Sequence, residues 1–340
     1  MAHQIALNFE DGATRIIAAR DGETVADAAY RLGINIPLDC RDGACGTCKC
    51  KVEAGRYDGG SYIEDALSED EAAQGFALAC QMRPGSDVVV AIAATAAQCK
   101  TRPQSFDTRL VSVRRLSATT IGFSLERPEG LAFLPGQYVN IQVPGSDAQR
   151  SYSFSSAPDA ATLEFLVRDI PGGQMSGWLR DVAQPGDAVR FTGPSGSFYL
   201  RDVSRPVLFL SGGTGLAPFL SMLGRLSANL SDHPVHLVHG VTNDADLVEI
   251  EALEAAAARM PFFSFTTCVS SETSTHPRLG YVTNHLAAEQ LNAGDIDIYL
   301  CGPPPMVDAV RSWLQGQGIT PASFHTEKFA ASGPAVKQAA

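Results

Sequence analysis

The 340-residue sequence has no apolar run approaching the roughly 18 residues that a membrane-crossing helix needs. Its opening, MAHQIALNFEDG, lacks a basic stretch followed by an apolar core. No secretory signal is expected, and a cytoplasmic location follows by default. Basic charge is also short: 37 acids against 26 Lys and Arg give a net charge of −11. That balance argues against a nucleic-acid partner, because phosphate backbones require a basic footprint. There is no G-x-G-x-x-G fingerprint, which disfavours a standard dinucleotide dehydrogenase. A His-bearing Rieske loop and a 2-His-1-carboxylate set are missing too, so the chain shows neither kind of oxygen-activating iron site.

Cysteine is what the chain has in unusual arrangement. Six of its eight cysteines (Cys40, Cys45, Cys48, Cys50, Cys80 and Cys99) precede residue 100, with Cys268 and Cys301 far downstream. In a cytosolic chain such clustering indicates metal or redox chemistry rather than a disulfide framework. Charge is uneven as well. Residues 1–100 carry 15 acids and 9 bases, residues 101–204 carry 10 of each, and residues 205–340 carry 12 acids and 7 bases. An acidic first segment can steer a basic docking surface on a partner, or it can serve solubility alone.

Three segments differ in pattern. Residues 1–95 read as two strands (Ile5–Phe9, Arg15–Ala19), a helix (Thr24–Leu32), a cysteine-rich loop, a short strand and a last strand (Val88–Ile92). Residues 96–107 read as a linker. Residues 108–204 hold six short strands: Thr108–Arg114, Thr120–Leu125, Tyr138–Val143, Ser151–Ser155, Leu163–Val167 and Ala188–Gly193. Glycine–proline turns separate them, as in a small antiparallel barrel. From 205 to 329, apolar runs (Val207–Leu210, Val235–His239, Phe262–Cys268, Ile296–Cys301) alternate with helices such as Asp246–Arg259 and Met306–Gln315, the pattern of a parallel sheet flanked by helices. The tail, residues 330–340, is expected to be disordered.

The loop LDCRDGACGTCKC spaces its thiols as Cys40-x4-Cys45-x2-Cys48, with Cys80 arriving later in GFALACQM. This is the plant-type spacing of [2Fe–2S] ligands. Three thiolates must converge from one tight loop, and Gly43 and Gly46 free the backbone to curl around the sulfides. A four-cysteine zinc site is the alternative, but zinc ribbons bring a second C-x2-C pair and none is present. Cys50, Cys99 and Cys268 read as packed thiols.

Arg150-Ser151-Tyr152-Ser153 follows a Pro-Gly turn, and Gly172-Gly173 lead into a helix near Gln174. A glycine-led helix start offers bare N–H groups to a phosphate, with Arg150 as a fixed charge and Ser176 as a hydroxyl. Taken alone, Tyr152 reads as a barrel-wall aromatic and Ser153 as a strand surface residue. Their order beside an iron–sulfur segment favours a flavin. Downstream, LFLSGGTGLAPF is a strand, a glycine turn and a helix, so Gly213, Thr214 and Gly215 are placed to approach a pyrophosphate. Cys301 ends a strand in Cys-Gly-Pro, at the sheet edge where parallel sheets carry their active sites.

Together these pieces resemble the ferredoxin–NADP reductase superfamily. The ferredoxin-first order, with TGPSGSFYLRDV, GGTGLAPFLSML, YLCGPPPMV and HTEKF, is similar to the reductase components of benzoate and toluate 1,2-dioxygenases over residues 3–329. The resemblance implies a β-grasp ferredoxin domain, a six-stranded FAD-binding barrel and a Rossmann-like NADH-binding domain. It also implies roles. Cys40, Cys45, Cys48 and Cys80 hold the cluster. Tyr152 packs against the isoalloxazine, and Ser153 bonds near flavin N5. Arg150, Gly173 and Ser176 hold flavin phosphates, while Gly213, Thr214 and Gly215 hold those of NADH. Cys301 and Glu327 lie near the nicotinamide, and Phe329 covers the flavin. One departure is that eleven residues follow Phe329, whereas in plant-type reductases that aromatic ends the chain.

The implied activity passes electrons from NADH to FAD to [2Fe–2S] to a separate Rieske-type oxygenase. A flavin is the necessary converter, because NADH gives two electrons together and the cluster takes one. The rival readings are a reductase of a di-iron monooxygenase or of a deoxysugar dehydratase, and a redox-sensing module, which would need no hydride site. The loop GVTNDADLVEIEAL has no Lys or Arg and carries Asp244, Asp246, Glu249 and Glu251, which favours NADH over NADPH.

Overall fold

The computed structural model describes residues 3–38, 40–100, 104–228 and 231–328. The chain divides into two compact units: residues 1–104 with 195–197, and residues 105–194 with 198–340.

The first unit is a mixed sheet with two short helices. Its elements are β1 (His3–Phe9), β2 (Thr14–Ala19), α1 (Val25–Arg31), β3 (Lys49–Ala54), β4 (Tyr57–Asp58), α2 (Glu69–Ala73), β5 (Phe76–Leu78), β6 (Arg83–Pro84) and β7 (Val88–Ile92). The main sheet runs β2-β1-β7-β3-β5, and β4 pairs with β6 beside it. Only the β1–β7 pairing is parallel within that sheet. Alternation explains the strand faces: Ile5, Leu7, Val88, Val90 and Ile92 all point into one core. Helix α1 is started by Thr24, whose hydroxyl accepts from the Asp27 N–H, and it buries Val25, Ala26, Ala28 and Ala29. The insert near Tyr57–Ile63 supplies β4 and then runs past the cysteine loop, where the Ile63 N–H bonds the Gly43 carbonyl.

The second unit opens with an antiparallel barrel: β8 (Gln104–Arg115), β9 (Thr120–Glu126), β10 (Tyr138–Gln142), β11 (Gln149–Ser153), β12 (Thr162–Arg168), helix α3 (Gln174–Asp181) and β13 (Ala188–Ser195). The order is β11-β10-β13-β8-β9-β12, and a Phe154–Phe165 bridge brings the two end strands together. Phenylalanines fill it: Phe133 stacks on Phe154 at 3.8 Å and Phe123 on Phe165 at 5.0 Å. Each such buried ring is worth about 1.5–3 kcal/mol of transfer free energy. Strand β8 begins four residues before the expected Thr108, inside the segment read as a linker.

A parallel sheet completes the unit: β14 (Val207–Gly212), α4 (Ala217–Ala228), β15 (Val235–Val241), α5 (Ile250–Arg259), β16 (Phe263–Val269), β17 (Asp297–Gly302), α6 (Pro304–Gly316) and β18 (Ser323–Lys328), ordered β16-β15-β14-β17-β18. Two expectations need correction. Helix α5 starts at Ile250, not Asp246, because Asp244–Asp246 form a separate 3-10 turn and Glu249 sits in the left-handed region at φ 59°. And SFHTEK is a fifth parallel strand, which its weak apolar pattern did not show.

Candidate functional site

The cysteine loop is shaped by backbone that only glycine adopts easily. Gly43 has φ 82°, and a Cβ there would stand 2.4 Å from the Ser61 carbonyl oxygen. The tightened loop aims N–H groups at sulfur: the Ala44 and Cys45 amides each donate to Cys40 Sγ at 3.3 Å. The thiols meet as two pairs, Cys40 with Cys45 and Cys48 with Cys80. The neighbouring Cys48 thiol holds the Cys80 thiol below its ordinary value, while burial pushes the Cys40 thiol up. No three His, Cys, Asp or Glu side chains among the described residues converge on one ion position. Two thiol pairs suit a two-iron cluster with two thiolates per iron better than one tetrahedral zinc. Cys50 is buried and donates to the Ala77 carbonyl at 3.4 Å.

In the barrel, β11 and the start of α3 form one cradle. Arg150 Nη2 donates to Gln174 Oε1 at 3.0 Å, which sets the guanidinium at the helix N-terminus. Gly173 is the cap residue and supplies no side-chain cap, so the first helical N–H groups stay open to a phosphate. A Cβ on Gly173 would fall 2.4 Å from Ser176 Oγ, so a larger residue would push the Ser176 hydroxyl out of the cradle. Ser176 Oγ lies 3.4 Å from the Ile170 backbone. Tyr152 stands edge-on to Phe123 at 6.2 Å, and burial raises its phenol.

At the carboxyl edge of the parallel sheet, Gly213 takes φ 54° between β14 and α4, and Thr214 is half-buried beside it. A Cβ on Gly215 would stand 2.4 Å from the Cys301 carbonyl oxygen, so this turn must be glycine to lie against β17. Strand register sets Ser211 beside Cys301 and Cys301 beside Glu327. The Cys301 thiol donates to Glu327 Oε2 at 3.8 Å, and the Ser153 hydroxyl donates to the same oxygen at 3.0 Å. Ser153 from the barrel, Cys301 from β17 and Glu327 from β18 therefore converge on one point. Burial drives the Glu327 carboxyl up to about 8 against the pull of both hydrogen bonds, and it drives the Cys301 thiol up as well. Phe329 lies outside the described residues.

Three family models match in the same order: a 2Fe-2S iron-sulfur cluster binding domain over residues 8–85, an oxidoreductase FAD-binding domain over 107–199 and an oxidoreductase NAD-binding domain over 209–312. The chain is 56% identical to the toluate 1,2-dioxygenase electron transfer component of Pseudomonas putida, covering 98% of this chain and 100% of that one. It belongs to the electron transfer components of multicomponent oxygenases. The 2-halobenzoate 1,2-dioxygenase electron transfer component of Burkholderia cepacia is 49% identical, with 97% of this chain and 98% of that one covered. The solved Amycolatopsis cytochrome P450 reductase GcoB superposes with TM-score 0.71 at 35% identity, over 97% of this chain and 100% of that one.

As an electron transfer component, the chain binds a [2Fe–2S] cluster, FAD and NADH, and it is an NADH-dependent oxidoreductase. The residues present fit those groups: sulfur pairs lined by amides, a helix start that no side chain caps, and glycines where a Cβ would collide. Sequence reasoning missed Gln174, which seats Arg150, and Asp169, held by Arg115 and Arg180 beside the flavin loop. The four acids expected at the NADH ribose have protein neighbours. Asp244 accepts from Ser274 at 2.7 Å, Asp246 from Thr119 and Asn243, and Glu249 lies 3.8 Å from Arg114, whereas Glu251 begins the first turn of α5. No helix among the described residues is long and apolar enough to cross a membrane.

Proposed function

We propose that this chain is the reductase of an aromatic-ring dioxygenase of the benzoate or toluate type, delivering electrons to a separate Rieske-type oxygenase. The relatives named above support the aromatic-acid system. The site reading rests on one observation, the convergence of Ser153, Cys301 and Glu327 where the barrel meets the parallel sheet.

FAD, when bound, takes a hydride from NADH and returns its electrons singly for the cluster to relay. The remaining work belongs to the protein. Arg150 and the open N-terminus of α3 neutralise the FAD phosphates, with Gly173 allowing close approach and Ser176 adding a hydroxyl. Tyr152 would wall the ring, and Ser153 would hold its edge through a hydroxyl that Glu327 already orients. Gly213, Thr214 and Gly215 would bring backbone N–H groups to the NADH phosphates, at the same sheet edge that carries Cys301. Burial raises the Glu327 carboxyl and so favours its neutral form, which lets a neutral coenzyme ring approach against less charge. Cys40, Cys45, Cys48 and Cys80 hold the cluster, and loop amides offset its negative charge.

The test is reconstitution. The purified protein should drive NADH-dependent cis-dihydroxylation of benzoate or a toluate when mixed with a benzoate-type Rieske oxygenase. A protein that reduces cytochrome c with NADH but supports only a di-iron monooxygenase would move the assignment to that rival class. One that shows no NADH oxidation at all would point to the sensor.

A further inference from the structure

Hydride transfer demands that donor and acceptor carbons and nitrogens approach to about 3–3.5 Å, and a 1 Å misplacement can cost about a hundredfold. Here the flavin residues sit on the barrel and the nicotinamide residues on the parallel sheet. Whatever registers barrel against sheet therefore sets the rate. One such contact is at the reaction site itself, Ser153 to Glu327. A second lies elsewhere, on the turn between β8 and β9.

The Thr119 hydroxyl in that turn donates to Asp246 Oδ1, in the loop after β15. The other Asp246 oxygen accepts from Asn243 Nδ2 at 3.1 Å, so the carboxylate is held from both sides. The Thr119 carbonyl meanwhile accepts the Asp169 N–H at 2.7 Å. Asp169 opens the loop that reaches Gly173 and the flavin-phosphate helix, and its carboxylate is gripped by Arg115 and by Arg180 of that helix. A single residue thus bonds both the nucleotide loop and the flavin loop. Three residues past Asp246, Glu249 takes a left-handed conformation at φ 59°, rare for a non-glycine, and faces Arg114 of β8 at 3.8 Å. Asp244, in the same loop, is tied to Ser274 in the segment after β16. The loop is thus held at Asp244, Asp246 and Glu249 by residues outside the glycine turn Gly213–Gly215.

We propose that Thr119 and Asp246 are positioning residues that register the nicotinamide-nucleotide loop against the flavin-phosphate loop, so that hydride transfer depends on their hydrogen bond. This rests on the NADH-to-flavin reading above. It gives the Asp246 carboxylate a role other than reading the ribose.

The experiment is anaerobic single-turnover reduction of the holoprotein by NADH. Thr119→Val should slow flavin reduction at saturating NADH by about tenfold, with the NADH dissociation constant changed less than about threefold and FAD content unchanged. Asp246→Ala should do the same. The double variant should be no slower than either single, because both remove one interaction. Thr119→Ser should restore the rate. The long-wavelength charge-transfer absorbance between NADH and flavin should weaken in the Val variant and return in the Ser variant, a signature that a merely stabilising contact would not move. The proposal is overturned if Thr119→Val and Asp246→Ala reduce flavin at the wild-type rate, if their effects add, or if only Tm and FAD retention fall. Should both variants fail to retain FAD, Arg114→Gln at the neighbouring contact decides: a slowed reduction with normal FAD content supports the registration, and an unchanged rate sinks it. A wild-type protein that NADH cannot reduce would instead overturn the parent reading.

Discussion

The cluster site and the hydride site are built on opposite plans. Three of the four cluster thiols lie within nine residues, Cys40 to Cys48, in a loop whose shape is set by its own glycines. The hydride site joins Ser153 to Glu327 across 174 residues, and its parts meet only because a barrel and a parallel sheet pack together. A local site should fail locally, by loss of a ligand. A composite site should fail by degrees, through any change that shifts one half against the other.

The sharpest break between the two is at Cys45. Cys45→Ser should abolish NADH-driven cytochrome c reduction, a drop of at least about a thousandfold, because the cluster that hands electrons on to another protein is gone, whereas small ferricyanide takes single electrons from the flavin directly. NADH-driven ferricyanide reduction and FAD content should stay near wild type. Two iron and two acid-labile sulfides per chain should be found in the wild type and neither in the variant. Loss of ferricyanide activity as well would show that the two sites are not separable.

Within the composite site, Gly215→Ala should act next most strongly. The new Cβ would meet the Cys301 carbonyl oxygen at 2.4 Å, and the obstructing atoms are all β17 backbone, which cannot rotate away as a side chain could. The turn must then shift by about an ångström, which at a hydride-transfer site corresponds to about a hundredfold in kcat/KM for NADH. FAD content and the cluster spectrum should be unchanged. An effect confined to FAD loss would place the damage in the barrel instead.

The same contrast decides how much could be read from the sequence. The cysteine loop was legible because spacing along the chain is the signal, and the barrel and the four apolar strands of the sheet because turns and apolar runs mark them. Strand β18 was not legible as a strand, since SFHTEK has no run of apolar residues and each residue keeps some exposed surface at a sheet edge, even though the Glu327 carboxyl group itself is enclosed. The start of α5 was misplaced because acids at Asp244 and Asp246 look like a helix first turn, whereas Glu249 breaks the backbone before Ile250. Contacts such as Thr119 to Asp246 and Ser153 to Glu327 join segments more than a hundred residues apart, and no local pattern encodes them.

Coenzyme choice tests the loop that the two halves share. Residues 240–253 carry Asp244, Asp246, Glu249 and Glu251 and no Lys or Arg. Although three of these acids bond the protein, their charge remains at the sheet edge and repels a 2′-phosphate. NADH should exceed NADPH by roughly ten- to a hundredfold in kcat/KM, the worth of one charge-assisted contact of about 1.5–3 kcal/mol. Equal values with both coenzymes would show that another segment reads the ribose.

The smallest effect, and the one that speaks most directly to the composite site, is at Glu327. Its carboxyl is raised by burial from 4.5 to about 8, so the folded protein holds that proton more tightly than the unfolded chain does. The linkage then has a definite sign. Below about pH 4.5 both states are protonated and the group costs no stability; as pH rises toward 8 the unfolded chain ionises while the folded site resists, and stability falls across that window. Glu327→Gln keeps a neutral group of the same shape and removes the penalty, so Tm at pH 9 should rise by several degrees while Tm at pH 4.5 stays put. The opposite is expected of the chemistry. Hydride loss leaves a positive charge on the nicotinamide ring, which an ionised Glu327 stabilises and a glutamine does not. Flavin reduction in the wild type should therefore quicken with an inflection near pH 8, and in Glu327→Gln it should be flat and about tenfold slower at pH 9. A variant that keeps the inflection would assign it to another group, and one that is slower but no more stable at pH 9 would show that this carboxyl is not the buried acid its surroundings indicate.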